Sequence, residues 1–291
     1  MAGITLSIVL ASCASGPGGS TAPVGHPAGD ALILRIEYSG GFTGPAFTFT
    51  SLPSFTLSGD GRVIVQGAQI AIFPGPALPA VNVRRLTEAG IQSVLAEVAR
   101  TALFGASVAY QGARNCVMDA GDTVFSLHAD GRDVKVTAYG LGTLDPAGGC
   151  PGISAAELAA YQTLQRLNDR LTNLEAWLPA AAWAEPSWRP YLPTALRLLV
   201  RNADADPPDG SGIANQLLHW PGDSNPATFG DPIPLGDKRC GVVTGQSAHD
   251  WLASLSGTNQ LTRFVKNGHR YEVTVRFLLP DEPPACAKPA A

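Results

Sequence analysis

Three short turns, each flanked by alternating apolar and polar residues, constrain this chain more than any other feature of its sequence. They are Asp60-Gly61, Asp130-Gly131 and Asn267-Gly268. Asp-Gly and Asn-Gly adopt the left-handed backbone that two-residue hairpin loops require, and the alternation lets each flanking strand bury one face. The sequence therefore predicts three β-hairpins, over residues 55–66, 123–139 and 261–279.

Two segments have the spacing of apolar side chains that is typical of a helix packed on a sheet. The first covers 86–103, where Thr87 is available as the N-cap. The second covers 154–177 and begins with the capping box Ser154-x-x-Glu157. A shorter third helix is predicted to begin at Ser247-x-x-Asp250 and to end near residue 255.

Four prolines between residues 178 and 194 divide the chain, because proline interrupts both helices and strands. The order strand, irregular segment, helix, hairpin occurs once on each side of this segment. We therefore predict an α+β fold in two units, a domain over 31–177 and a domain over 195–291, joined by a Pro/Trp-rich linker over 178–194. Each unit is expected to pack a helix on one face of an antiparallel sheet.

Tryptophans 177, 183 and 188 lie in or beside the predicted linker. Their large apolar rings are expected to dock the linker against a domain. The alternative is that these rings stack on a ligand.

The first residues have the pattern of an export signal. The run from Ile4 to Leu10 is apolar except for Thr5 and Ser7, and it is far shorter than the roughly 20 residues of a membrane-spanning helix. A short apolar run followed by small residues is typical of a secretory signal peptide. A Gly-, Pro- and Ser-rich stretch follows, which predicts a flexible tether over 13–30.

Leu10-Ala11-Ser12-Cys13 resembles the lipobox of bacterial lipoproteins. The resemblance implies that residues 1–12 are a signal peptide cleaved before Cys13 and that the Cys13 thiol carries a diacylglyceryl group. Two acyl chains anchor a protein durably in a membrane, whereas one chain is marginal. The alternative is that Cys13 is a buried cysteine on a short strand.

The segments RIEYSGGF, LPSFTLSGDGRVIVQG, LTEAGIQSVL and DTVFSLHADGRDVKV resemble an uncharacterised group of secreted lipoproteins from high-GC bacteria. These segments are turns, strands and a helix, and no activity is assigned to the group. The resemblance therefore implies an extracytoplasmic, lipid-anchored location and no mechanism.

The other four cysteines form an even set, and disulfides are expected in an exported chain. Pairing within local units predicts Cys116 with Cys150 and Cys240 with Cys286, and two other connectivities stay open. None of the five histidines (His26, His128, His219, His249 and His269) lies at a metal-ligand spacing from a cysteine or from another histidine, so no metal and no cofactor are expected.

Motifs that carry chemistry are few in this chain. No Gly-x-Ser-x-Gly, P-loop or Rossmann glycine pattern is present. The acidic loop over 202–212 contains Asp204, Asp206 and Asp209, but its late glycine and the missing closing Glu favour a solvated loop over a calcium site.

Two further sets of polar residues are weaker candidates. His249, Asp250 and His269 could form an acid/base group, although Asp250 is expected to cap a helix. The connection after the first helix contains residues that could line a binding site near a disulfide: Tyr110, Arg114, Asp119 and Asp122.

The net charge of −4, without a concentration of Lys and Arg, excludes a nucleic-acid partner. The sequence favours a cell-envelope lipoprotein that is not an enzyme and that binds an envelope protein or a small ligand. The alternative is an exported hydrolase whose site is assembled from scattered residues. A pocket with converging His, Asp or Glu would favour the enzyme, and an open apolar surface would favour binding.

Overall fold

The computed structural model of the chain describes residues 22–145, 150–207 and 210–286. Two mixed β-sheets and their helices make up these residues, so the predicted α+β class is confirmed. Cys13, the predicted signal peptide and Asp209 lie outside the described residues.

The first sheet has eight strands in the order β5-β7-β6-β1-β2-β3-β4-β8. Neighbouring strands are antiparallel except β5 and β7, which are parallel. The strands are β1 (Leu32–Gly40), β2 (Phe55–Ser58), β3 (Arg62–Gln66), β4 (Val81–Arg85), β5 (Val108–Tyr110), β6 (Gly121–Ala129), β7 (Arg132–Tyr139) and β8 (Arg189–Pro190).

The second sheet has six strands in the order β10-β13-β14-β9-β12-β11, and its one parallel pair is β10 and β13. The strands are β9 (Ala195–Asn202), β10 (Leu217–His219), β11 (Asp231–Pro232), β12 (Arg239–Thr244), β13 (Arg263–Lys266) and β14 (His269–Phe277).

All three predicted hairpins are present, as β2–β3, β6–β7 and β13–β14. Both turn residues have positive φ at 130–131 (53° and 67°) and at 267–268 (52° and 81°), as a two-residue hairpin loop requires. In the first hairpin only Gly61 has positive φ (82°), and the Asp60 carboxylate accepts a hydrogen bond from the Arg62 amide.

The helices are α1 (Pro45–Thr50), α2 (Glu88–Val98), α3 (Ala155–Thr172) and α4 (Gly245–Leu255). Two predicted N-caps are confirmed: the Thr87 hydroxyl accepts from the Gly90 amide at 3.3 Å, and the Ser154 hydroxyl accepts from the Glu157 amide at 3.1 Å. The second half of the capping box is not formed, because the Glu157 carboxylate accepts from the Gly112 amide instead.

The predicted start of the third helix is wrong. Helix α4 begins directly after β12, with Thr244 at its N-cap and Gly245 as its first residue. Asp250 therefore lies inside the helix, where it accepts a hydrogen bond from the Gln246 side chain at 2.8 Å rather than capping the backbone.

Side-chain alternation on β3 assigns neighbouring residues to two different cores. Val63 belongs to the first core, where α2 and α3 cover one face of the first sheet. Ile64 points to the opposite face and belongs to a second core with Val81 and Val83 of β4 and with the second sheet and α4. The second core therefore contains side chains from both halves of the chain.

The segment 178–194, predicted as a linker, adds a strand to the first sheet. Its β8 pairs with Asn82 and Val83 of β4, and Leu86 bridges to Trp183. The Arg84 guanidinium lies 3.9 Å from the centre of the Trp183 ring, so this tryptophan docks the segment as expected. The division into two domains stays a prediction.

The repeated element order does not produce a repeated topology. Strand β1 lies beside β6, the first strand of its hairpin, whereas β9 lies beside β14, the second strand of its hairpin. The two hairpins are therefore inserted into their sheets in opposite senses.

The described end of the predicted tether is docked rather than free. Val24 exchanges two hydrogen bonds with the Gln92 side chain, the Gly25 carbonyl accepts from the Asp130 amide, and the Gly29 carbonyl accepts from the Asp60 amide. The prediction of a tether as far as residue 30 is therefore wrong for residues 24–29, because their backbone groups find partners on α2 and on two hairpin tips.

Disulfides join Cys116 to Cys150 and Cys240 to Cys286, which are the pairs that the sequence predicts. Such bonds form and persist in oxidising compartments, which indicates an extracytoplasmic protein. Within the described residues, no helix has the length and apolar character needed to cross a membrane.

Candidate binding surface

A groove of about 350 Å³ opens at one end of the first sheet, and we call it the apolar groove. Tyr38 near the end of β1 and Phe47 of α1 line it, together with Leu52, Pro79 and Ala80. The remaining lining residues are Thr50, Ser51, Gln66 and Gln69, so no lining side chain is charged. The groove therefore suits an apolar or uncharged occupant.

Several large apolar side chains outside the groove lining are exposed to solvent. Phe42 is 92 % exposed and Met118 is 81 % exposed. Their backbones are close, because the Phe42 amide donates to the carbonyl of Asp119, the residue after Met118, at 3.1 Å. Ile70, Ile72 and Phe73, which follow the groove residue Gln69, are also exposed. We call these five residues the apolar rim.

Tyr38 is held in place by backbone that only glycine allows. Its hydroxyl accepts a hydrogen bond from the Gly121 amide at 2.7 Å. A Cβ at residue 121 would lie 2.3 Å from that hydroxyl oxygen, so any larger residue would displace the ring. The Gln66 side chain donates to the Leu52 carbonyl at 2.6 Å and closes the other wall of the groove.

The apolar groove and residues 24–29 lie at opposite ends of the first sheet. Residue Gly40 of β1 pairs with Gly121 at the groove end, whereas Leu34 pairs with Leu127 near the hairpin tips that hold residues 24–29. A nine-residue strand spans about 30 Å.

The connection after α2 brings together two of its four candidate residues, Arg114 and Asp122, near the Cys116–Cys150 disulfide. The Arg114 guanidinium lies 3.9 Å from the Tyr139 ring centre and 3.8 Å from the Asp122 carboxylate. The Tyr110 carbonyl accepts from the Tyr161 hydroxyl, and burial raises the pKa of Tyr161 to about 12. Asp119 contributes its backbone carbonyl to Phe42. These contacts stabilise the connection and leave no cluster of free acid/base groups.

The acidic loop is neutralised by cationic neighbours. Asp206 pairs with Arg201 through two hydrogen bonds of 2.6 and 2.8 Å, and these bonds lower the pKa of Asp206. Asp204 accepts from the Arg270 amide, His269 and Asn202, and together they lower its pKa to about 2. No group of three or more His, Cys, Asp or Glu among residues 22–145, 150–207 and 210–286 could hold a metal ion.

Histidine–carboxylate pairs occur only at the surface of the described chain. His269 pairs with Asp204 at 2.7 Å, and not with Asp250 as the sequence suggested. The other two pairs are His26 with Glu88 at 3.1 Å and His128 with Asp133 at 3.5 Å. The carboxylates are 38 %, 63 % and 84 % exposed in that order, so none of these pairs is buried in a pocket.

The comparisons with known proteins add no relative. No protein-family model, curated protein or solved structure matches the chain.

Sequence reasoning missed the apolar groove because its walls come from four separate segments. One signal was available: the run Ile70-Ala71-Ile72-Phe73 has neither helical nor strand context, and prolines follow it. An apolar run in a loop has no core to enter, which marks it as a surface for binding.

Proposed function

We propose that this protein is a lipid-anchored protein of the cell envelope that binds an apolar segment of a partner envelope protein in the apolar groove. The exposed apolar rim carries the proposal. Side chains as large as Phe42 and Met118 are costly to hydrate, and exposed large apolar side chains together with a groove that has no charged lining favour an interaction site.

The direction of the groove supports a protein partner rather than insertion into the anchoring membrane. Lipid on Cys13 would leave nine residue steps to Ala22, which span at most about 30 Å. Residues 24–29 then bind the far end of the first sheet. The apolar groove would therefore face away from the anchor, towards other proteins of the compartment.

The alternative of an exported hydrolase rests on the Asp204–His269 pair. Nucleophilic catalysis needs a hydroxyl or thiol within hydrogen-bond reach of the histidine. Among the described residues, Asp204 is the one hydrogen-bond partner of the His269 ring. The open apolar surface therefore favours binding as the function.

Site-specific crosslinking in the native envelope tests the binding function. Photo-reactive benzoylphenylalanine in place of Phe42 is expected to form one discrete adduct, and the same residue in place of Asp133, at the opposite end of the sheet, is the control. Met118→Lys, which adds a charge to the rim, is expected to abolish the adduct at position 42. Failure to crosslink at position 42, or an equal adduct from position 133, would contradict the proposal.

Lipidation is tested separately. Cells that express the chain are labelled with a radioactive fatty acid, and Cys13→Ala is expected to lose the label and to leave the membrane fraction. Cys116→Ala is the matched control, because it removes a cysteine from a disulfide and should keep the label. Label that persists on the Cys13→Ala protein would exclude this anchor.

A further inference from the structure

A second cleft, of about 250 Å³, lies on the helix face of the first sheet, and we call it the Trp188 cleft. The lining of the Trp188 cleft is more polar than the lining of the apolar groove. The side chains that give it this character are Asn82, Thr172, Asn173, Glu175 and Trp188, and Gln66 borders the cleft at the end of β3. Gln66 also lines the apolar groove, so the two clefts adjoin across the end of β3.

The position of the cleft follows from the sheet and from the end of α3. Asn82 pairs with Val65 in the β3–β4 register, so its side chain lies on the face that the helices cover elsewhere. Helix α3 ends at Thr172 at this corner, and a one-turn 3₁₀-helix over Leu174–Ala176 follows it. The chain then turns, so Asn173 and Glu175 form the wall that faces Asn82.

Trp188 is held in place by a buried arginine. The guanidinium of Arg84, which is 7 % exposed, donates to the Glu185 carbonyl at 3.0 Å and to the Pro186 carbonyl at 2.8 Å. It also pairs with Glu175. Arg84 therefore ties both walls of the cleft to β4. A site fixed in this way loses little conformational entropy when a ligand binds.

The neighbouring tryptophan has another role. Trp183 contacts Arg84 through its ring and Trp188 in a T-shaped arrangement, with 5.6 Å between ring centres. Trp177 is occupied too, since its indole nitrogen donates to the Arg170 carbonyl and Arg170 covers its ring. Trp188 has no indole hydrogen bond to any residue that the structure describes and lines the cleft instead.

The polar groups of the cleft are available to a ligand. The side-chain amides of Asn82 and Asn173 make no hydrogen bond within residues 22–145, 150–207 and 210–286, and each offers two donors and an acceptor oxygen. A concave site with an apolar ring and a few such groups can orient a small ligand. The cleft volume admits a single ring.

The charge of the cleft selects among small ligands. Its lining contains no Lys or Arg, and its one carboxylate, Glu175, is already paired with Arg84. An anionic ligand would find no counter-charge here, and a cation would compete with Arg84. An uncharged ring fits this lining if hydroxyl groups on its edge can bind the amides and C–H groups on its face can pack on the indole.

We propose that the Trp188 cleft binds an uncharged sugar ring, as the end or a unit of an envelope polysaccharide. The indole of Trp188 packs on the C–H face of the sugar, and the amides of Asn82 and Asn173 bind its hydroxyl groups. This site is distinct from the apolar groove, so the sugar and the protein partner can bind at the same time.

The experiment is a calorimetric titration of the whole protein with three soluble trisaccharides, of N-acetylglucosamine, of mannose and of arabinose. At least one is expected to bind with a Kd below ~10 mM. Trp188→Ala and Asn173→Ala are each expected to weaken that binding by about tenfold or more. Asn173→Ala keeps the test valid if Trp188→Ala does not fold, because the Asn173 side chain is exposed and unpaired among the described residues.

Trp177→Ala is the matched control and is expected to bind the sugar as the unaltered protein does. The proposal is overturned if none of the three sugars binds, or if the Asn173→Ala protein binds as well as the unaltered one. It is also overturned if phosphorylation of the bound sugar strengthens binding, because the cleft would then recognise an anion. If Trp188→Ala or Asn173→Ala abolishes sugar binding and leaves the crosslink from position 42 unchanged, the two sites act separately.

Discussion

At the scale of single residues, Arg276 and Arg35 make polar contacts that link the two halves of the chain. Arg276 of β14 pairs with Glu282 through two hydrogen bonds of 2.7 Å, and it also donates to the Ser51 carbonyl at 2.9 Å. Arg35 of β1 pairs with Asp281 at 2.7 Å. A partly buried pair of this kind is costly to break, because the remaining charge lacks a partner.

We predict that Glu282 makes the protein sensitive to acid. Burial raises the pKa of Glu282, but the hydrogen bonds and charge of Arg276 outweigh burial, so the pKa lies below its usual range. A carboxyl whose pKa is lowered by folding stabilises the protein above the unfolded pKa, about 4.3, and this contribution is lost as pH falls through the folded pKa. The free energy of unfolding should therefore decrease as the pH is lowered below about 4.5.

Urea unfolding at pH 3 to 7 measures this effect. Glu282→Gln should lower the stability at pH 7 and flatten the acid slope by up to one proton, about 1.4 kcal/mol per pH unit. Asp237→Asn, at an exposed aspartate, is the control and should keep the slope of the unaltered protein. An unchanged slope in the Glu282→Gln protein would show that this carboxyl does not titrate with unfolding.

The sequence predicts the role of some residues well and the role of others not at all. The difference is how far apart in the sequence the contacting residues lie. The turn residues Asp130 and Asn267 act on their own neighbours, so their positive φ follows from the local sequence. Arg35 and Asp281 are 246 residues apart, and nothing local relates them. The Trp188 cleft could not be predicted from the sequence for the same reason, since Asn82 and Asn173 line one cleft only in the folded protein.

At the scale of elements, helices and hairpins could be predicted because each is specified by its own periodicity. Strands β4 and β12, of five and six residues, were missed, and so were four shorter strands: β5, β8, β10 and β11 have two or three residues each. These short strands cannot show an alternating pattern, and they form because each pairs with the edge of a longer strand. Helix α4 was predicted near its place, but its true first residue depends on where β12 ends.

We predict that Gly90→Ala destabilises the protein, although alanine is the better helix former by about 1 kcal/mol. A Cβ at residue 90 of α2 would lie 2.3 Å from the Ala182 carbonyl oxygen. Either the helix or the segment 180–182 must move, which should cost about 1 to 3 kcal/mol of unfolding free energy. Urea unfolding checks the sign of the change.

Ala96→Gly serves as the control, because residue 96 is exposed on the same helix. It should lower stability by about 1 kcal/mol through helix propensity alone. If Gly90→Ala instead raises stability by a similar amount, the close contact between α2 and the segment 180–182 does not exist in solution.

At the scale of the whole molecule, the two sheets share contacts that independent domains would lack. Ile64 and Val83 of the first sheet pack in the core of the second. The Tyr191 hydroxyl donates to the Leu278 carbonyl at 3.1 Å, and Pro76 bridges to Asn259. The prolines of segment 178–194 suggested a linker, but prolines also suit a sheet edge, and the sequence alone does not separate the two.

We predict that the protein unfolds in one cooperative step. The shared core makes each half depend on the other, so scanning calorimetry should give a single peak whose calorimetric and van't Hoff enthalpies agree. Ile64→Ala removes a side chain of the first sheet from the second core and should cost about 2 to 5 kcal/mol, which moves the whole peak to lower temperature. Two independent domains would instead give two peaks, of which Ile64→Ala would shift one and leave the other at its place.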